Sequence, residues 1–220
     1  MTIKFIRCQE LYNLLNQVQS GGYSQLSDPK YLFLVDARAM NDYEQNHIPT
    51  SIRPKARRNE YTGEIDLILP YDIQLESKSR IVVYDGNSRD LTNDPSRPAV
   101  RVAIAISRNG AQVPVEVLFG GFEEFSSHYP FLRTTKIGYT QRELDAYKTY
   151  PNELIRNEVY LGTHNQFLTK EVVKDLKLTA FVHFHDSEEQ KDSFLDEFKK
   201  RIEKIINWRV LSTTLKISHI

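Results

Sequence analysis

The sequence is short of cysteine, of net charge and of long apolar runs. It holds one cysteine, Cys8. A lone thiol gives no internal disulfide and no CxxC metal pair, and it suits a compartment where thiols stay reduced. Lys and Arg number 29, as do Asp and Glu, so the formal net charge is zero. That balance argues against a broad electrostatic nucleic-acid binder, which carries a clear basic excess. No stretch approaches the ~18–20 apolar residues that span a bilayer, so no membrane partner is expected. The N-terminal MTIKFIRCQELYNLL is too broken by charge for a secretory signal. Glu10 also counts against an organelle address. A cytoplasmic location is expected, with mitochondrial or nuclear ones left open. There is no 20–50-residue repeat and no low-complexity tract. What remains is an ordinary globular mixture, 40% hydrophobic and 26% charged. Its 220 residues suggest one to two domains.

Hydrophobic spacing then divides the chain. Leu11, Leu14, Leu15 and Val18 recur at i, i+3, i+4 and i+7 and predict a helix that ends by Gly21 and Gly22. Residues 31–37, YLFLVDA, form a near-continuous apolar run ending on Asp36, as expected of a strand buried on both faces. A short polar helix is expected over about 40–46. Residues 81–85, IVVYD, repeat the apolar strand ending on Asp. Pro95 and Pro98 precede an Ala/Val/Ile-rich helix over 99–109, closed by Gly110. Residues 113–121 predict a third strand stopped by two glycines, and 122–132 a short helix. Strand and helix alternating in this way predict βαβ units and a mainly parallel α/β sheet flanked by helices.

Residues 134–152 carry little apolar periodicity and several tyrosines, and are expected to be a linker between domains 1–133 and 153–220. In the second part, a short strand lies in 153–163. Thr169 is a candidate N-cap for a helix burying Val172, Val173 and Leu176. Residues 178–184 predict a strand. Ser187 and Gln190 have capping-box spacing, and Phe194, Leu195, Phe198, Ile202, Ile205 and Ile206 form a helical stripe behind them. About 70 residues make a marginal domain alone.

Asp36, Arg38, Tyr43, Glu44, His47, Ile48, Pro49, Ser51 and Ile52, in that order, resemble the rhodanese-like domain family. Gly120, Gly121, Phe122 and Phe125 match the later part of its pattern. In that family, sulfurtransferase chemistry needs a cysteine just after the central strand, whose thiolate takes up sulfane sulfur. Here Asp85 stands at that position. YDGNSRDL (84–91) is similar to the rhodanese-like domain of MAP kinase phosphatases, which docks kinases. The resemblance implies a partner-binding set of Arg53, Lys55, Arg57, Arg58, Leu67 and Leu69, meeting an acidic groove on a protein partner. A solvated basic loop is the alternative for the same residues.

Residues 151–166 resemble the entry to a dual-specificity phosphatase domain. In that register Thr213 stands at the phosphatase cysteine and His219 at its arginine, and a lysine, Lys216, replaces a loop glycine. The second domain is therefore expected to be a partial, degenerate phosphatase-like α/β domain. His183 and His185 share one side of a strand but have no third ligand nearby, so no metal is expected. The resemblance implies a catalytically inactive pseudophosphatase, not an enzyme, with no cofactor. It would act in kinase and phosphatase signalling by binding MAP kinases, protein phosphatases or their substrates. The alternatives are a sulfurtransferase or phosphatase with an unrecognised nucleophile, and a truncated form in which only the first domain functions.

Overall fold

The apolar runs do become strands of one parallel sheet. The structure, a computed structural model, describes residues 2–58, 60, 65–68, 73–92, 97–185, 192–193, 196–197, 200 and 209–214. Two compact units divide between Thr149 and Tyr150. In chain order, the first contains β1 (Ile3–Ile6), α1 (Cys8–Leu15), β2 (Leu32–Asp36), α2 (Met40–Gln45), β3 (Lys55–Arg58) and β4 (Ile65–Ile68). It continues with β5 (Arg80–Tyr84), α3 (Pro98–Arg108), β6 (Val115–Leu118), α4 (Gly121–His128) and α5 (Gln141–Asp145).

Four strands form a parallel sheet in the order β1-β6-β5-β2. Every residue of β6, and all but the first of β2 and β5, is buried. Both faces must therefore be covered, which explains the near-continuous apolar runs. Phe33, Val35, Ile81, Val83, Val115 and Val117 share one face and pack against Ala99, Val102, Ala103 and Ile106 of α3. Truncating Ile106 to Ala there would cost ~2–5 kcal/mol through lost burial and a cavity. Pro98 starts α3 with its φ already helical. Among the intervening positions, Glu116 is buried but bracketed by Lys4 Nζ at 3.2 Å and Arg80 Nη2 at 2.7 Å from the neighbouring strands. The charge is paired rather than stranded.

Some expectations shift. The first helix ends at Leu15, not near Gly21. The Asn16 amide donates to Tyr12 O, and residues 17–25 turn back to pair with themselves through Gln25 N to Gln17 O and Gln19 N to Tyr23 O. The fourth helix stops at His128 rather than running to 132, because Pro130 cannot continue it. Neither β1 nor the antiparallel β3–β4 hairpin was expected from the sequence. Residues 134–149 fall in the first unit and carry α5.

The second unit contains β7 (Asn152–Ile155), β8 (Val159–Leu161), α6 (His164–Phe167), α7 (Lys170–Asp175), β9 (Ala180–His185) and β10 (Arg209–Thr214). β7 and β8 are antiparallel, and β9 and β10 are parallel. Glu153, buried in β7, accepts from Asn157 N at 2.8 Å and Tyr160 OH at 3.2 Å. Thr169 stands at the N-cap of α7, and Val172, Val173 and Leu176 are buried as expected. Thr213 lies inside β10, opposite Phe184. Residues 192–193, 196–197 and 200 are helical. Ser187, Gln190, Phe194, Leu195, Phe198, Ile202, Ile205, Ile206, Lys216 and His219 lie outside the described residues. No helix among the described residues is long and apolar enough to cross a membrane.

Candidate functional site

In open parallel sheets the crevice at the C-terminal ends of the strands is where ligands bind. Here that edge gathers Asp36 to Arg38 after β2, Asp85 to Ser88 after β5, Gly120 and Gly121 after β6, and Cys8 just after β1.

Asp85 is almost fully buried and its carboxylate is already spent. Oδ1 accepts from Ser88 N at 2.9 Å; Oδ2 accepts from Ser88 Oγ at 2.6 Å and from Ala99 N at 3.1 Å. The last bond reaches the first turn of α3, where a helix leaves N–H groups unpaired and favours negative charge. The protein's own carboxylate thus sits where the loop and the helix would receive an anion. The loop is also stitched to the turn before α4. Phe122 N donates to Asp85 O at 2.7 Å, Glu123 N to Gly86 O at 2.9 Å, and Gly120 N to Ser88 O at 2.8 Å. This contact needs Gly121: it sits at φ +58°, and a Cβ there would lie 2.6 Å from Asn87 N, Asp85 O and Gly86 C.

Beside this loop, Asp36 is fully buried and held by Arg38. The guanidinium reaches Asp36 Oδ2 at 2.7 Å and Asn46 O at 2.7 Å, and its centre lies 3.9 Å from the Phe122 ring centroid. Burial opposes the charge on Arg38, but its bonds to Asp36 outweigh that and raise its pKa. Tyr84, at the end of β5, accepts from Ile48 N at 3.1 Å and meets Ser51 Oγ at 2.9 Å. Burial first, and the Asp36 charge second, push its phenol well above the ordinary range. It stays a neutral hydroxyl tying loop 48–51 to the sheet.

His47 is also buried. Its Nδ1 lies 2.8 Å from Tyr43 O and its Nε2 3.1 Å from Lys136 O, and its ring stacks on Tyr43 at 4.1 Å. With the paired backbone groups of His47 and Thr134, it fastens residues 134–136 to the loop after α2.

The β3–β4 ladder divides the expected partner-binding set. Lys55 is opposite Ile68 and Arg57 opposite Asp66, while Ala56 is opposite Leu67 and Arg58 opposite Ile65. Lys55 and Arg57 therefore share one face of the hairpin, and Arg58 and Leu67 occupy positions of the other, because strand neighbours alternate. Lys55 and Arg57 are exposed. Arg53 leads into the hairpin, its Nε donating to Arg38 O at 2.9 Å. Leu69 lies outside the described residues.

Cys8 is far from the loop in sequence. The fold brings it to the same edge of the sheet, where it is buried and lies 3.6 Å from Phe119 O. Among the described residues, no group of three or more His, Cys, Asp or Glu side chains could hold a metal ion.

Residues 20–128 match the rhodanese-like domain. Among solved structures the chain is similar to an As-Sb reductase from Leishmania major, with 24% identity, 64% of this chain and 90% of that chain covered, and a TM-score of 0.38. No curated protein matches. The expectation that the chain is not an enzyme is overturned by the family match, because this is the domain in which sulfurtransferase chemistry is expected.

Proposed function

With the first unit a rhodanese-like domain, we propose that the protein recognises an acidic protein segment through its basic stretch, in kinase and phosphatase signalling. The observation that carries this reading is the exposed pair Lys55 and Arg57 on one face of a hairpin, with Arg53 leading into it. Asp66, opposite Arg57, is the one acid in the ladder. Such cations steer encounter and pair with carboxylates. The order of motifs supports a finer version. It resembles the pseudophosphatase MK-STYX, in which a rhodanese-like domain precedes a degenerate dual-specificity phosphatase-like domain; here that domain would be 153–220. MAP kinases, phosphatases or their substrates are then the partners to test. The intact chain is measured against a MAP kinase panel at two salt concentrations. Salt-sensitive binding that falls about tenfold in Lys55→Ala/Arg57→Ala supports the reading. Binding indifferent to both salt and substitution refutes it.

The family match favours a second reading, an enzyme of sulfurtransferase type. Its one thiol, Cys8, lies at the C-terminal edge of the sheet, two strands from Asp85 in the order β1-β6-β5. That is ~10 Å at the usual strand spacing. Thiocyanate formation from thiosulfate and cyanide, abolished in Cys8→Ser, would support this reading. No turnover by the parent chain would refute it.

A further inference from the structure

Beside β2 the first unit has a groove of about 500 Å³. That is within the ~300–1,000 Å³ of ligand sites. Its walls come from distant parts of the chain: Leu32 of β2, Ile52 of the following segment, and Ile137, Tyr139 and Leu144 from the stretch around α5. Met40 and Ile137 are large apolar side chains left 46% and 62% exposed. A methionine adapts readily to an incoming apolar group.

The charges around the groove are mostly of one sign. Arg53 and Lys78 line it against a single acid, Asp28. Asp28 is engaged locally, accepting from Lys30 N at 2.8 Å. Arg53 holds its Nη1 3.9 Å from Met40 Sδ, so a cation stands directly beside an exposed apolar group. From there the exposed Lys55 and Arg57 follow on the hairpin, with one acid, Asp66, opposite Arg57. The wall on this side is pre-organised. Tyr84 holds Ile48 and Ser51, Ile52 N donates to Leu34 O, and Asp36 N donates to Ile52 O. Thr50 is kept at φ 65° within it, a conformation that costs a β-branched residue ~1–3 kcal/mol and persists only where the surroundings dictate it.

We propose that this groove takes the apolar side chain of an acidic peptide segment whose carboxylates run onto Arg53, Lys55 and Arg57. The proposal rests on the recognition reading above and adds to it an apolar anchor site. A second copy of the chain is the alternative occupant, and the test separates it.

The probes are two fluorescein-labelled nonapeptides of Asp and Glu, one with two central Leu residues and one with Ala in their place. Both are titrated against the full chain, Ile137→Asp, Met40→Glu and Lys55→Ala/Arg57→Ala. Far-UV circular dichroism checks folding, which these exposed substitutions should spare. The Leu peptide should bind the parent about tenfold more tightly than the Ala peptide, as expected for one buried leucine. Ile137→Asp and Met40→Glu should erase that preference. Lys55→Ala/Arg57→Ala should weaken both peptides at low salt while keeping it. Equal binding of the two peptides, or a preference that survives the groove substitutions, overturns the groove. Loss of the preference without any effect of Lys55→Ala/Arg57→Ala keeps the groove and refutes the hairpin. Failure of both peptides to bind overturns both. A dimer in sedimentation that Ile137→Asp dissociates overturns the peptide proposal in favour of self-association.

Discussion

Asp85→Ala tests the account of the central loop most directly. The substitution deletes the acceptor of Ser88 N, Ser88 Oγ and Ala99 N. All three donors belong to residues at 1% exposure or less. An orphaned buried donor costs ~1–3 kcal/mol, and losing a helix cap costs ~0.5–2 kcal/mol. The terms are not additive, because Ser88 Oγ can rotate to another acceptor and water can enter the space left behind. A loss of ~3 kcal/mol is expected. At ~2–4 °C per kcal/mol for a chain of this size, melting should fall by roughly 6–12 °C. Asp85→Asn keeps one acceptor oxygen and should lose about half as much. Urea unfolding followed by far-UV circular dichroism gives the energy. Hydrogen exchange at the Ala99 and Ser88 amides shows whether the loss is local. If Asp85→Ala unfolds within ~0.5 kcal/mol of the parent, the carboxylate does not latch the loop. If the variant is more stable, Asp85 is kept at a cost to stability, as functional residues often are.

Three further outcomes follow from the same region and its surroundings. Gly121→Ala should destabilise by at least ~3 kcal/mol, since its Cβ meets backbone on three sides at positive φ; a denaturation midpoint within ~1 kcal/mol of the parent would contradict the packing. Arg38→Met strands the buried Asp36 charge and should cost ~3–5 kcal/mol. Arg38→Lys should recover less than half of that, because it lacks the planar fork and the stacking on Phe122; full recovery would show that charge alone matters. Lys136 Nζ, 2.5 Å away, followed by the Thr140 N–H and hydroxyl, holds the Glu143 carboxyl down to about 2. Because the folded value is depressed, any stability it contributes is complete above its ordinary 4.5 and is lost as pH falls towards about 2. A carbon-detected titration of Glu143 with its midpoint at the ordinary value would refute that contact.

The sequence showed what is written in short-range pattern. The apolar runs at 31–37 and 81–85 fit buried strands in length and composition, and α3 followed from Pro98 and its Ala/Val/Ile content. Position β1 escaped notice because IKFI is four residues broken by a lysine. Its pairing partner, Val115–Leu118, lies more than a hundred residues away. The β3–β4 hairpin escaped because KARR carries no alternation of apolar residues to announce a strand. Its register could not be foreseen either, so the family resemblance grouped Arg58 and Leu67 with Lys55 and Arg57 without regard to the face each occupies. Asp85 stood out as a departure from a family pattern. That Asp85 caps a helix starting thirteen residues later is a fact of tertiary structure.

Cys8 makes the same point for function. It lies 77 positions before Asp85, and by sequence distance it has nothing to do with the loop. Yet a parallel sheet aligns the C-terminal ends of its strands, so a residue just after β1 and another just after β5 meet at one edge. Sequence separation therefore gives no reason to exclude the thiol from chemistry at that edge. Burial does constrain it. Cys8 is 6% exposed, and a thiolate must be reached by its substrate to act. Lys55 and Arg57 of the hairpin, and Met40 and Ile137 of the groove, are by contrast exposed as they stand. The proposed recognition would need no rearrangement of these residues, whereas sulfur transfer through Cys8 would first need the contact with Phe119 to open. A dye-accessible thiol in the native chain would remove that distinction, and its absence would sharpen it.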